Sequence, residues 1–517
     1  MSYKKTILTG TLILTLSGFL SRILGFYNRI FLSGLIGAKE LGIYQLIFPV
    51  YMLCFSLCCH GFETGTANLI SRFSSHGPNS NTKKFIRCIC LISFSLSVIL
   101  AGILFSCADF FSIHLLKEAS AAPALKISAL SLPFVSVKSC IHGYYIGKNR
   151  SGVPAISQIV EQFSRVGSIY LLSVTLFALS ADARIAAWGM VLGEILSTLY
   201  TIAAYFFHEF FSGKKKRAVL CSPVSLNKML REFFDFSLPV AFNHFCLTIV
   251  SSVETILIPF MLKIFCGDHT RALEMYGTLT GMALPFLFFP AAVTNSLSVM
   301  LMPAVSSSHK EKKIHQLRET IEQSLHYCLL IGIFSAFAFL IYGHSLGETI
   351  FHSREAGEYV YSFALLCPFM YVTQASSSIL NGFGKTKQTL YHNLLGIAVR
   401  IFFILTAIPV YGIRGYFYGL LAGYCLQMCL NLIKIYRLVP FSFYPENSFL
   451  FPVCTAVCGG ILSKKLFEVL SLHFSLPSFY FLAVGGLTYF CFFFAIQFFR
   501  EHIKKEKKAC SRQNRHL

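Results

Sequence analysis

The chain has 517 residues, of which 55% are apolar and 13% charged, against roughly 25% charged in soluble globular proteins. So few charges exclude a water-facing surface of this size. The net charge of +21, which in a soluble chain would raise nucleic-acid binding, is topological here because the basic residues sit mainly between apolar runs.

A bilayer core about 30 Å thick needs about 20 apolar helical residues per crossing. Runs of this kind cover 6–36, 41–71, 86–107, 122–146, 153–179, 185–210, 232–264, 272–304, 320–343, 358–381, 389–410, 413–436, 449–463 and 478–499, about fourteen spans. The first run follows Lys4 and Lys5 as a signal peptide would, but it continues through Arg22 and Arg29 without a convincing cleavage site, so it reads as an uncleaved helix. Spans 1, 2, 7 and 8 exceed what a bilayer needs and are expected to tilt, bend or protrude. Lys and Arg gather in alternate loops, at Lys83-Lys84, Lys214 to Arg217, Lys310 to Lys313 and the tail from Arg500 to Arg515. That alternation places both termini in the cytoplasm, with Lys464-Lys465 as the exception beside span 13. A basic tail can also touch anionic lipid head groups. The cysteines lie mostly inside the apolar runs and read as small membrane hydrophobes; no His or carboxylate cluster joins them into a metal site.

Internal repetition divides the spans further. The fourth span ends in Gly143-Tyr-Tyr-Ile-Gly147-Lys148 and is followed by a span carrying Arg165; the tenth ends in Gly382-Phe-Gly384-Lys385 and is followed by a span carrying Arg400. The stretch from Tyr44 to Ser74-Ser75 is echoed from Tyr276 to Ser306-Ser307. The common shift of about 235 residues pairs span n with span n+6, and an even shift makes the lobes parallel repeats. The expected organisation is a six-helix lobe over 1–210, a basic cytoplasmic linker over 211–228, a second six-helix lobe over 229–440, two additional helices over 441–500, and a basic tail over 501–517. The fold class is thus all-α and polytopic, and a cleft between such lobes is a natural substrate site.

A charge inside a span costs about 2.5–3.5 kcal/mol on insertion scales, so each needs a partner, a cavity or an interface. Arg22 and Arg29 stand two helical turns apart on one face of span 1, where two planar guanidinium forks suit a phosphate-bearing anion. Glu63 in span 2 is a nearby intramembrane carboxylate and a candidate to hold Arg22, with Asn68 following it. Glu161 and Arg165 have the i, i+4 spacing of a structural or gating ion pair. Asn243, His244 and Glu254 in span 7, and Asn295 in span 8, are candidates to line the second lobe's wall. Glu194 and Arg400 are further candidates, and Lys126 and Lys138 are expected to reach cavity water. No P-loop is present, and neither cofactor nor metal is expected.

The segments Gly10-Thr-Leu-Ile-Leu-Thr, Ser21-Arg22-Ile-Leu24-Gly25-Phe26, Ile36-Gly37-Ala38-Lys-Glu-Leu-Gly42-Ile-Tyr44-Gln45 and Pro49-Val-Tyr51 closely resemble the stage V sporulation protein B family of polysaccharide-biosynthesis membrane proteins. That family belongs to the multidrug/oligosaccharidyl-lipid/polysaccharide (MOP) exporter superfamily and is related to the lipid II flippase. The resemblance implies an alternating-access flippase for undecaprenyl-pyrophosphate-linked sugars in the bacterial cytoplasmic membrane, with lipids and a coupling ion as partners. It places the flippase's cavity arginine of span 1 at Arg22 and its second arginine at Asn28, with Arg29 one place on; the arginine of its eighth span has no counterpart. The rival readings are a cation-coupled multidrug exporter of the same superfamily and a membrane glycosyltransferase or polymerase. Span 1 carries arginines rather than carboxylates, and the loops are short, which favours the flippase.

Overall fold

The computed structural model describes residues 3–74, 80–148, 150–175, 182–212, 225–310, 313–442, 446–473 and 478–513. Every regular element among them is helical, as a chain in hydrocarbon must satisfy its backbone groups within each segment. The basic segment Lys214 to Arg217 and the last four residues of the tail lie outside the described residues.

Contacts divide the chain into two compact units, Met1–Gly277 and Thr278–Leu517. The first contains α1 (Tyr3–Phe55), α2 (Gly61–Ser74), α3 (Ser80–Ser106), α4 (Ala121–Ala129), α5 (Leu132–Gly147), α6 (Gly152–Thr175), α7 (Ala183–Ser212), α8 (Leu226–Cys266) and α9 (His269–Gly277). The second contains α10 (Leu284–Lys310), α11 (Ile314–Phe351), α12 (Arg354–Phe363), α13 (Leu366–Gly382), α14 (Thr386–Thr406), α15 (Ile413–Leu438), α16 (Phe451–His473) and α17 (Ser478–Gln513). Helix α8, assigned to the second lobe by the repeat, packs on α1 and α2 within the first unit. The repeat-based division is therefore a proposal about chain symmetry, distinct from the grouping by packing.

Among the described residues nine helices are long and apolar enough to cross a membrane, or eleven when each of two bent pairs counts as one crossing. The larger number expected from sequence has two local causes. One of the nine, Leu16–Arg72, runs 57 residues, nearly three times the about 20 a bilayer crossing needs, and takes in most of the first expected span and all of the second. Helices α6 and α16 carry Gln158, Glu161, Gln162 and Arg165, or Lys464, Lys465 and Glu468, which dilute their apolar character.

Helix α1 changes direction at Gly37, whose φ of 75° and ψ of 176° a side chain would strain. Helix α8 starts on Ser225, whose side chain accepts from the Lys228 amide at 3.4 Å, and stops at Gly267, where a φ of 72° lets its amide reach the Lys263 carbonyl.

The shift of about 235 residues is visible in packing. A Cβ on Gly147 would lie 2.6 Å from the Ala67 carbonyl oxygen and 2.8 Å from Ile70; one on Gly382 would lie 2.9 Å from both the Met302 carbonyl oxygen and Val305. The bent pair α4–α5 recurs as α12–α13, with angles of 43° and 56°. Each unit surrounds these contacts with its own apolar core, including Phe62, Phe85, Tyr145 and Phe233 in the first and Val305, Ile321, Ile379 and Leu380 in the second. The C-terminal helices dock Ala456, Tyr489 and Phe493 against Leu330 and Ile333 of α11. Large apolar side chains such as Leu171, Phe206, Phe402 and Phe498 point outward, which in a membrane is the favourable face.

Candidate functional site

The polar residues of the first unit fall into two arginines on α1, Arg22 exposed and Arg29 half-buried, and a buried ionic network. Arg22 is exposed on α1 and makes no ion pair among the described residues. Arg29, one face-repeat further along, is half-buried and interacts electrostatically with Tyr44 and Arg165. Glu63 and Asn68 are half-buried on α2. The charged group acting on Glu63 is Lys138 rather than Arg22, a correction to the expectation that Glu63 holds Arg22.

Lys138 is the centre of the network. Expected to reach water, its side chain is only 7% exposed. It donates to Glu161 Oε2 at 2.9 Å, to Glu194 Oε2, and to Ser197 Oγ at 3.2 Å, so all three ammonium protons have acceptors. Arg165 donates to the other oxygen of Glu161 at 2.6 Å. The four side chains come from α5, α6 and α7 and sum to zero charge, which is how an ionic group is held away from water. Their approach depends on Gly193: a Cβ there would lie 3.0 Å from the Glu161 carbonyl oxygen and 3.2 Å from Arg165 Cβ. Tyr51 and Ser131 share a hydrogen bond of 2.9 Å close enough for Tyr51 to feel Glu194.

The local Glu161–Arg165 spacing was readable in the sequence; the role of Lys138 and Glu194 was not. Their partners lie 23 and 56 residues away, and no spacing rule links them. The one usable signal was the cost of Lys138 and Glu194 as charges with no opposite charge in their own spans.

The remaining candidates are dispersed. Asn243 is exposed and Glu254 buried on α8, both in the first unit, and His244 stacks on His60 with ring centroids 4.8 Å apart. Asn295 belongs to the second unit, where its Oδ1 is buried without a hydrogen-bond partner among the described residues. Arg400 lies over the Tyr424 ring at 5.3 Å. Lys126 pairs with Asp109 at 2.7 Å at the surface. Among the described residues no three His, Cys, Asp or Glu side chains gather as a metal site, and the described cysteines are free thiols.

The comparisons with known proteins give the class of this helical membrane protein. The polysaccharide biosynthesis protein family matches residues 7–309 and the MatE family residues 278–406. The chain belongs to the polysaccharide biosynthesis protein family. It is 27% identical to stage V sporulation protein B of Bacillus subtilis (strain 168) over 89% of each chain. It is 21% identical to the lipid II flippase MurJ of the same organism, over 88% of this chain and 87% of the relative. Among solved structures, an inward closed conformation of the lipid II flippase MurJ superposes with a TM-score of 0.67 at 14% identity, covering 95% of this chain and all of that one. An inward-facing multidrug resistance MATE family transporter of the MOP superfamily superposes at 0.60 and 14%, covering 81% of this chain and 94% of that one. The protein is a multi-span membrane transporter with the MOP-superfamily fold.

Proposed function

We propose that this protein flips a lipid-linked oligosaccharide or peptidoglycan precursor of the undecaprenyl-pyrophosphate type across the bacterial cytoplasmic membrane, in cell-wall, spore-cortex or polysaccharide biosynthesis. The observation that carries the reading is Arg22, an exposed guanidinium on a membrane helix with no carboxylate partner among the described residues. An uncompensated charge there is expensive unless an anion or water meets it, and its donor fork fits a pyrophosphate. Arg29 adds a second cation on the same face. The sugar head then occupies the polar residues of the two lobes while the isoprenoid stays in lipid, and alternating access with both termini cytoplasmic completes transfer. Polar Glu63, Asn68, Asn243, Glu254 and Asn295 are the proposed wall of that path, and the Glu161–Arg165 pair a structural or gating contact.

No covalent chemistry is required, since the barrier is dehydration of the head group in hydrocarbon; the protein is proposed to act as a transporter and not as an enzyme. An ion gradient or the membrane potential supplies direction. The relatives named for a flippase and for sporulation support the substrate class. A cation-coupled multidrug exporter is the second reading, favoured by the MATE likeness. Against it, the carboxylates Glu161 and Glu194 of the first unit's network are already neutralised by Lys138 and Arg165 together.

The test is depletion of the protein in its own host, followed by measuring lipid-linked intermediates in the inner leaflet. Accumulation reversed by wild type and not by equally expressed Arg22→Ala is the expected result. Normal flipping after depletion, with no redundant flippase present, removes the proposal.

A further inference from the structure

The packing seam between the first half of α1 and α6 contains polar atoms that the protein itself leaves unpaired. Ser17, Ser21, Gly25, Asn28 and Leu32 recur every three or four residues, so they share one face of α1. That helix packs on α6, and a Cβ on Gly25 would lie 3.7 Å from Gln162 Oε1. Asn28 is 6% exposed. Ser21 Oγ, Asn28 Oδ1, Gln162 Oε1 and Arg165 Nε are all buried and have no hydrogen-bond partner among the described residues.

Small and polar residues between membrane helices usually act as glue, with close backbones and hydrogen bonds across the interface. Along this seam Ser21 Oγ, Asn28 Oδ1, Gln162 Oε1 and Arg165 Nε lack those bonds. Buried polar side chains are nearly always paired, and the adjacent Lys138, Glu161 and Glu194 follow that rule. Unpaired groups concentrated along one line therefore point to a partner from outside the chain.

We propose that the α1–α6 seam is a cryptic saccharide subsite, where Ser21, Asn28, Gln162 and Arg165 Nε bind hydroxyl and amide groups of the substrate's sugar. The inference rests on the flippase reading and adds a sugar site to its phosphate site. A hydroxyl and two carboxamides accept and donate without charge, which matches a polyhydroxylated ligand. Phosphate is served by Arg22 and Arg29 on the same helix. The seam opens by movement of the α1 segment before the break at Gly37. The segment after the break stays anchored, because Gly42 and Gly277 interlock at backbone contact: a Cβ on Gly277 would lie 2.6 Å from the Gly42 nitrogen.

The experiment uses the full chain in lipid nanodiscs with two probes, undecaprenyl pyrophosphate bare and carrying an N-acetylhexosamine disaccharide. Binding is read by native mass spectrometry, and melting temperature is read alongside. Asn28→Leu and Gln162→Leu keep side-chain volume and remove the polar ends. Each is expected to melt no lower than wild type and to weaken the glycosylated lipid about five- to tenfold, as loss of a neutral hydrogen bond does, with the bare lipid unchanged. An unchanged preference for the glycosylated lipid, or equal weakening of both lipids, overturns the subsite. So does a drop in melting temperature in both variants, which makes the seam structural. Arg22→Ala separates the two levels. If it weakens both lipids while the leucine variants keep the sugar preference, only the subsite fails. If it weakens neither, the flippase reading fails with it.

Discussion

The first unit buries charge where the second buries neutral hydrogen bonds. At the shift of about 235 residues, Lys138 corresponds to Thr373, Glu161 to Gly396 and Arg165 to Arg400. Thr373 donates to the Tyr424 carbonyl at 3.2 Å, and Arg400 rests over the Tyr424 ring. Nearby, Asn431 donates to Ser376 and Ser377 at 3.1 and 3.0 Å and meets His392 at 2.8 Å. The helical frame itself is shared, since Gly147 and Gly382 seat on equivalent backbones. Among the described residues the second unit has no matching ion network, so a lobe with this helical frame forms without one.

The contrast is broken most directly at Lys138. Lys138→Ala strands the buried Glu194 carboxylate and leaves Glu161 with Arg165 alone, so it is expected to cost about 3–5 kcal/mol, whereas Thr373→Ala is expected to cost about 1 kcal/mol. Thermal melts of both variants in one detergent compare them. Adding Glu194→Gln to Lys138→Ala is expected to recover part of the loss by removing one stranded charge. Equal melting for Lys138→Ala and Thr373→Ala abolishes the distinction between the units.

The shared frame is tested by Gly147→Val and Gly382→Val. Each forces side-chain carbon into backbone less than 3 Å away, an overpacking penalty of about 1–3 kcal/mol. Matched losses sharpen the comparison; tolerance at one site shows that the repeat has diverged there. Asn431→Ala comes next, at about 1–2 kcal/mol, because it removes the common partner of Ser376, Ser377 and His392.

The smallest effect is expected in a loop of the first unit, where Glu118 lies 2.6 Å from His269 Nε2. Burial pushes the Glu118 carboxyl up, but hydrogen bonds from the Ser120 hydroxyl and amide and from His269 outweigh it and hold the group below the usual carboxylate range. A depressed carboxyl stabilises the fold above its unfolded value of about 4.3, and that contribution disappears as pH falls through the lower folded value. Glu118→Gln is expected to flatten this acid-side part of the melting curve and leave pH 7 transport intact. An unchanged acid limb disproves the linkage.

Much of the fold was readable because a bilayer turns length and hydropathy into structure: an apolar run must become a helix that satisfies its own backbone. The Gly143–Lys148 and Gly382–Lys385 echoes were legible because close helix approach demands glycine at particular positions. Within the candidate site, Glu161–Arg165 was visible as a local i, i+4 pair. What only the tertiary structure decided was the company of Lys138, the charged neighbour of Glu63, the grouping of α8 with the first unit, and the unpaired seam beside Asn28. Hydropathy says which residues enter the membrane, but it is blind to the rotation of one helix against another, and that rotation determines whether a buried charge or amide finds a partner.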